Sequence, residues 1–344
     1  MKLQIINPIE YRDWDSLLIR SNDHSFFHST AWARVLKESY RYKPIYFVLF
    51  EKDQLTLLMP FMEVNSLLTG KRGVSLPFTD QCKAYDPEKR LLPEAAHVAI
   101  DYAMKARWQY VEWRDSEYFP KEVSPSEIYY AHDLDLVKTE QELLSSLRDS
   151  NRRNIKKAIR EGVVTKISQS LDSVRSFYRL NCLTRKRHGL PPQPFAFFKN
   201  IFDYIISQDF GIVVSALHSG EVIAASVFFH FGTSAIYKYG ASDITRQNLR
   251  PNNLVMWEAI KWYRSKGFKM MSLGRTDPED QGLLQYKRMW GATESPVNYY
   301  RYNLDKKAFV KKRTGSDSFY TRLFSRTPNI ILRLLGRLLY RHMG

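Results

Sequence analysis

Lys287 sits beside Tyr286 and three residues before Trp290, in the stretch SLGRTDPEDQGLLQYKRMWGA that runs from Ser272 to Ala292. An ammonium in so aromatic a setting, where a strand gives way to a polar loop and a helix, is a candidate for a functional site. The alternative is a surface lysine on an amphipathic helix, and residue types alone leave both open. Arg275 follows a strand end and Gly274 directly, a place from which it either orders a cleft or binds an anion, with Asp277 as its alternative ion-pair partner. Cys82 and Cys182 stand far apart without neighbours of metal-ligand type, so neither a zinc site nor a disulfide framework is indicated. No Ser-His-Asp order and no phosphate-binding loop is present.

These residues belong to a chain of 344 residues, long enough for two domains that each bury a core. With 44% hydrophobic, 26% charged and 14% aromatic residues, the composition is that of a soluble globular protein. No run approaches the roughly 20 apolar residues that cross a bilayer. The start MKLQIINPIEYRDW has no apolar core of a signal peptide, so a cytoplasmic protein is expected. Lys and Arg number 52 against 36 Asp and Glu, a net charge of +16 that favours polyanionic partners: nucleic acid, phosphorylated substrates or anionic lipid.

Apolar periodicity predicts a helix over Thr30–Glu38, strands over Ile45–Phe50 and Leu55–Met62, a helix over Pro93–Ala106 and a strand over Tyr110–Trp113. The second half repeats the order. Helices are predicted over Leu171–Arg187 and Phe195–Gln208, and strands over Ile212–Leu217, Val222–Phe231 and Ala235–Tyr239. A helix over Leu254–Lys266, stopped by Gly267, and a strand over Lys269–Leu273 follow. An α+β unit that occurs twice implies an internal duplication. The expected domains are 1–135 and 136–305, followed by a basic tail, 306–344.

Between the halves a single helix is expected over Glu140–Glu161, with Thr139 and Glu142 spaced as a capping box and Gly162 as the stop. Arg148, Arg152, Arg153, Lys156, Lys157 and Arg160 line its polar faces, either as a solvated surface or as a ridge that contacts phosphates. The tail holds ten Lys and Arg and Asp317 as its one acid. Near its end Arg333, Arg337 and Arg341 recur every four residues opposite Ile330, Ile331, Leu334, Leu335, Leu338 and Leu339, the pattern of a basic amphipathic helix. Such a helix either lies on an anionic membrane or docks on the protein itself.

The meander, helix and strand of the second half have the order of an N-acetyltransferase-like (GNAT) core, in which a splayed strand and the next helix N-terminus form a slot for an acyl donor. The turn in question, ASDITRQNLRPNN over residues 241–253, contains no glycine, but Arg246 and Arg250, with Asn252, are its candidate donor-binding residues.

The strings SNRRNIKKAIREGV (150–163), AIYKYGASD (235–243), NNLVMWEAIKWYRSKGF (252–268) and YKRMWGA resemble the FemAB/FemX family of peptidoglycan-bridge aminoacyltransferases and their surface-polysaccharide relatives. FFHSTAWARVLKE (26–38) and SLPFTDQC (75–82) resemble the first-half signatures, and the likeness covers residues 1 to about 304. The resemblance implies two tandem GNAT-like domains, with an acceptor bound between them and an activated donor, aminoacyl-tRNA in the best-known members. It implies that Tyr286 and Lys287 act at the transferring carbonyl, where a fixed ammonium stabilises the developing oxyanion without a covalent enzyme intermediate. It further implies that Tyr237 and Tyr239 face the acceptor, strand alternation putting both on one face, and that Arg187 grips acceptor phosphate. Asp80 matches the acidic residue of the first domain, a possible acceptor of the nucleophile's proton. Its other reading is a turn or cap residue. His188 is a further possible base. Lys37 is off by one from the family's first-half lysine. The inserted helical hairpin associated with tRNA in those members is absent, which leaves the basic segment 140–161 as the tRNA contact.

The resulting expectation is an acyl- or aminoacyltransferase that forms an amide on an amino sugar or peptide amine of a lipid- or nucleotide-linked cell-surface precursor. Aminoacyl-tRNA or acyl-CoA serves as co-substrate, with no tightly bound cofactor or metal. Acyl-CoA-dependent N-acetyl transfer in polysaccharide synthesis is one alternative. A non-catalytic scaffold that binds RNA or membrane is another.

Overall fold

The computed structural model of the protein describes residues 3–21, 25–88, 90–114, 119, 122–311 and 323–344. The expected basic tail, 306–344, therefore lies partly outside the described residues. The chain divides into two compact units.

The first unit comprises the described residues of Met1–Tyr130, Pro296–Thr314 and Tyr340–Gly344. It opens with β1 (Gln4–Ile6), α1 (Trp14–Arg20) and α2 (Thr30–Tyr40), and continues as an antiparallel meander, β2 (Lys43–Glu51), β3 (Gln54–Ser66) and β4 (Gly70–Val74). The β2–β3 turn passes through Lys52 and Asp53 at φ 49° and 61°, the backbone of a tight hairpin. Helix α3 (Leu92–Lys105) then leads to β5 (Tyr110–Arg114), parallel to β4. Ala95, Ala96, Ala99 and Ala103 form the buried face of α3. Side chains this small bring the helix close to the sheet, and Phe47, Phe61, Trp108 and Trp113 complete the same core.

The second unit comprises the described residues of Ala131–Ser295 and Gly315–Leu339. The division from the first unit falls inside β6 (Glu127–Asp135). Then come α4 (Glu140–Ser146), α5 (Asp149–Arg160), β7 (Val164–Ser168), α6 (Leu171–Arg187) and α7 (Phe195–Tyr204). The meander β8 (Gly211–His218), β9 (Glu221–Phe231) and β10 (Ser234–Ser242) follows. Helix α8 (Pro251–Ser265) leads to β11 (Met270–Ser272), parallel to β10, and to α9 (Gln281–Arg288). The unit ends in α10 (Asn329–Leu339).

The single basic helix expected over Glu140–Glu161 is two helices. Leu147 adopts extended backbone, φ −68° and ψ 142°, and its side chain is buried in the core. Arg148, at φ −58° and ψ 146°, is extended as well, so α4 ends at Ser146 and α5 begins at Asp149. The Thr139–Glu142 capping box starts α4, and Gly162, at φ 76°, follows α5.

The duplication is visible as β2-β3-β4-α3-β5 and β8-β9-β10-α8-β11, each with its last strand parallel to the third. Each final strand then gains an antiparallel neighbour from a distant part of the chain. In the second unit Ser272 of β11 pairs with Asp133 of β6. In the first, Trp113 of β5 pairs with Tyr300 of β12 (Thr293–Asn303), and Asn303 in turn pairs with Ala308 of β13 (Ala308–Phe309).

Candidate active site

In the second unit the parallel pair β10 and β11 is joined only from Ser234–Ile236 to Met270–Ser272. Beyond this point β10 runs on to Ser242 without β11, so the two strands part. A bulge between Tyr237 and Tyr239 sits at the parting. It also corrects the expectation that both tyrosines share a face. The extra residue interrupts the two-residue alternation. Tyr237 lies 5.4 Å from the ring of Phe228, on the side packed by α8, while Tyr239 lies among Phe177, Phe197, Phe198 and Phe229, on the side of α6 and α7. Gly240 makes the arrangement possible, since a Cβ there would stand 1.9 Å from the Tyr237 hydroxyl.

Helix α9 follows the loop after β11. Asp280 caps it, its Oδ1 accepting from the Leu283 N–H at 3.0 Å. Lys287, two turns in, is 3% exposed. Its Nζ donates to the carbonyl of Gly274 at 2.9 Å and to that of Arg275 at 3.0 Å. Gly274 adopts φ 73°, a conformation suited to glycine, in the loop that brings both carbonyls to the ammonium. Tyr286 packs edge-on against the buried Trp290 with centroids 6.1 Å apart. Burial pushes its phenol well above the ordinary tyrosine range, so it is a neutral hydroxyl.

Two titratable groups that the sequence reading missed lie in the field of Lys287. Asp133, across from Ser272, has its carboxyl pushed up by burial, a shift opposed by a hydrogen bond from Ser272 and by the Lys287 charge. His132 is fully buried, with Nδ1 3.7 Å from Glu294 Oε2. Burial and then the Lys287 charge lower its imidazole to about 4, so it is neutral at pH 7. Their one legible signal is polarity, a His-Asp pair flanked by Ala131 and Leu134 in a strand-length segment.

The candidate donor-binding residues surround the start of α8. Arg250 holds φ 58° just before Pro251, and both Arg246 and Arg250 are exposed. Asn252 is engaged with Ser242 Oγ at 3.2 Å. The adjacent Asn253 donates to Asn151 Oδ1 at 2.8 Å, and Asn151 donates to the Met289 carbonyl at 3.1 Å, which ties α5, α8 and the end of α9 together. Arg153, Lys156 and Arg160 of α5 are exposed. Arg187 is the exposed last residue of α6, its guanidinium 3.2 Å from His188 Nε2. Burial and the Arg187 and Arg185 charges lower the His188 imidazole. Arg275 is half-buried and meets Lys287 through its carbonyl.

Asp80 belongs to the first unit, in the loop after β4. Leu76 and Phe78 there adopt φ 50° and 61°, a left-handed backbone that costs non-glycine residues energy and recurs at functional loops. The Tyr299 hydroxyl donates to the Asp80 carbonyl at 2.7 Å, and the Arg114 guanidinium lies 5.5 Å from the Tyr299 ring centroid. Glu112, buried below, binds both Arg114 and Arg301. Burial pushes its carboxyl up, but the two arginines override this and hold it at about 2. Sequence reasoning missed this charged trio as well.

Among the described residues no group of His, Cys, Asp and Glu is arranged to hold a metal ion, and no helix is long and apolar enough to cross a membrane.

Comparison with known proteins agrees with this geometry. Residues 145–288, which contain the parted strands, Lys287 and the residues around α8, match the model of the acetyltransferase (GNAT) domain. The fold is similar to that of FemX, with a TM-score of 0.67 at 14% identity over 89% of this chain and 98% of that one. It is also similar to the C-terminal domain of a putative lysylphosphatidylglycerol synthetase from Agrobacterium fabrum (TM-score 0.54, 12% identity, 90% and 94% covered). A tandem GNAT protein from the clavulanic acid biosynthesis pathway matches with a TM-score of 0.53 and 9% identity over 88% and 99%. No curated protein matches the sequence. The chain is thus α+β, has the FemX-like tandem GNAT fold and carries an acetyltransferase domain.

Proposed function

We propose that the protein is an acyl- or aminoacyltransferase that forms an amide on an amino sugar or peptide amine of a lipid- or nucleotide-linked cell-surface precursor. The observation that carries this reading is the buried ammonium of Lys287, held by the Gly274 and Arg275 carbonyls in the loop after β11, within the segment that matches the GNAT domain model. The acceptor amine attacks the carbonyl of an activated ester or thioester, a C–N bond forms, and negative charge gathers on the carbonyl oxygen. A preorganised ammonium stabilises that oxygen at little reorganisation cost. Collapse expels the donor's alkoxide or thiolate, which takes up a proton, while the amine gives one up. Asp133, a carboxyl whose pKa burial raises, is the proposed base for the amine. Tyr286 and Tyr237 are the aromatic residues assigned to the site, Arg275 orders its loop, Tyr239 packs in the core on the other face of β10, and Arg187 and Asp80 remain proposed acceptor contacts.

The donor separates two readings. Acyl-CoA is favoured by the match of residues 145–288 to the acetyltransferase model. Aminoacyl-tRNA is favoured by the glycine-free turn over residues 241–253 and by the exposed cations of α5. Calorimetric titration with CoA and with a tRNA pool distinguishes them: salt-sensitive binding of tRNA alone supports the second reading, and binding of CoA alone the first. Mass spectrometry of surface-glycan precursors from cells with and without the gene then tests the proposal, since the mass difference names the transferred group. Identical precursor masses would refute it.

A further inference from the structure

Helix α10 has two apolar faces, and only one of them is buried. Leu332 is fully buried, and Gly336 lies so close to the backbone that a Cβ there would stand 1.9 Å from the Pro192 carbonyl oxygen. Arg333 lies 5.5 Å from the Tyr178 ring of α6. This seam fixes the rotation of the helix. Ile330, Ile331, Leu334 and Leu338, at 73%, 48%, 56% and 65% exposure, are thereby turned to solvent. Positions 330, 334 and 338 recur every four residues and form one stripe on the far side from Leu332 and Gly336. The sequence pattern sets the arginines opposite Ile330, Ile331, Leu334, Leu335, Leu338 and Leu339, whereas in the structure Leu332, outside that set, is the residue turned inward, and Ile330, Ile331, Leu334 and Leu338 stay exposed.

We propose that this outward face of α10 seats the protein on an anionic lipid bilayer. Its chemistry selects that occupant. Arg326 and Arg337 are exposed, and no carboxylate occurs between Leu323 and Leu339, so every charged side chain of the helix itself is positive. Exposed Leu190 and the cations Arg185, Lys186 and Arg187 extend this face beside Pro191, whose carbonyl Arg185 contacts at 3.4 Å. Aliphatic side chains enter the boundary between headgroups and acyl chains while arginines meet the phosphates. A second copy of the chain would bring two all-positive helices together. RNA would leave the aliphatic stripe unused. The proposal goes beyond the acyltransferase reading and is tested without it.

The test is flotation of the full-length protein with phosphatidylcholine vesicles, with and without phosphatidylglycerol. The wild type is expected to float with the phosphatidylglycerol vesicles, less so as salt rises. The triple variant Ile330→Ser, Leu334→Ser, Leu338→Ser leaves the Leu332–Gly336 seam intact, so its thermal unfolding should match the wild type while its partitioning falls by roughly tenfold or more. Arg337→Glu should weaken binding to the anionic vesicles by at least about fivefold. The proposal is overturned if the wild type stays in solution, if the folded triple variant floats equally well, or if the triple variant only converts a dimer to a monomer.

Discussion

The ammonium of Lys287 lies 2.9 Å from the carbonyl of Gly274, a residue thirteen positions earlier in the chain. A lysine usually reaches solvent with its charged end. Here the charge is drawn inward and ties the end of α9 to the loop after β11, and in the proposed function this buried cation has the task of polarising the acyl carbonyl.

Replacing Lys287 by Ala leaves the Gly274 and Arg275 carbonyls without this donor. A destabilisation of about 1–3 kcal/mol is expected, measured as a lower denaturant midpoint at unchanged m-value. No loss of stability would mean that the buried ammonium does not hold the loop.

Gly240→Ala would force a Cβ to within 1.9 Å of the Tyr237 hydroxyl. Overpacking of this kind costs about 1–3 kcal/mol. In Tyr237→Phe the clashing oxygen is gone, so Gly240→Ala should cost less there, and a double-mutant cycle should show coupling of about 0.5 kcal/mol or more. Additive losses would contradict the bulge geometry.

His132 supplies an acid limb to the stability curve. Its folded pKa of about 4 lies below the unfolded value of 6.5, so the unfolded state binds the proton first as pH falls. Stability from this group is fully present above pH 6.5 and is lost as pH drops toward 4. Glu112 acts lower. With a folded pKa of about 2 against 4.5, its contribution is lost as pH falls below 4.5. Chemical denaturation at stepped pH should therefore show a flatter profile between pH 6.5 and 4 for His132→Phe, and an unchanged slope in that window would exclude His132 as its source.

Asn151 satisfies Asn253 on α8 and the Met289 carbonyl at once. Asn151→Ala should cost about 1–3 kcal/mol and raise amide exchange at the start of α8, read by hydrogen-exchange mass spectrometry. Exchange equal to wild type would show that α5 does not brace the site.

Much of the second unit is legible in the chain. Helix α6 spans Leu171–Arg187 as periodicity predicts, and the β8–β9 hairpin follows from apolar runs on either side of His218-Ser219-Gly220-Glu221. Strands β6 and β12 are not legible. Each pairs with a partner more than a hundred residues away, and each carries charged or polar residues inside the ladder, as at Asp133 and Arg301. The same cause hides the buried trio Glu112, Arg114 and Arg301, since charges read as surface until distant strands bring them together. Lys287 was legible because its neighbours are aromatic. Asp133 and His132 were not, because their burial comes from pairing with β11 and from the approach of α9. The bulge at Tyr237 and Tyr239 is a backbone event within a run that looks regular, so alternation assigned them one face.

The most direct measurement of the central claim is mass spectrometry of surface-glycan precursors from gene-deleted cells that carry the wild type, Lys287→Ala or Lys287→Met. The methionine variant keeps the volume of the side chain without its charge, and the folded state of each variant is checked by thermal unfolding. The acyltransferase account predicts that wild type restores the added mass and that the folded lysine variants do not, with losses of about a hundredfold or more for removal of an oxyanion-stabilising group. Restoration to wild-type levels by folded Lys287→Met would contradict it.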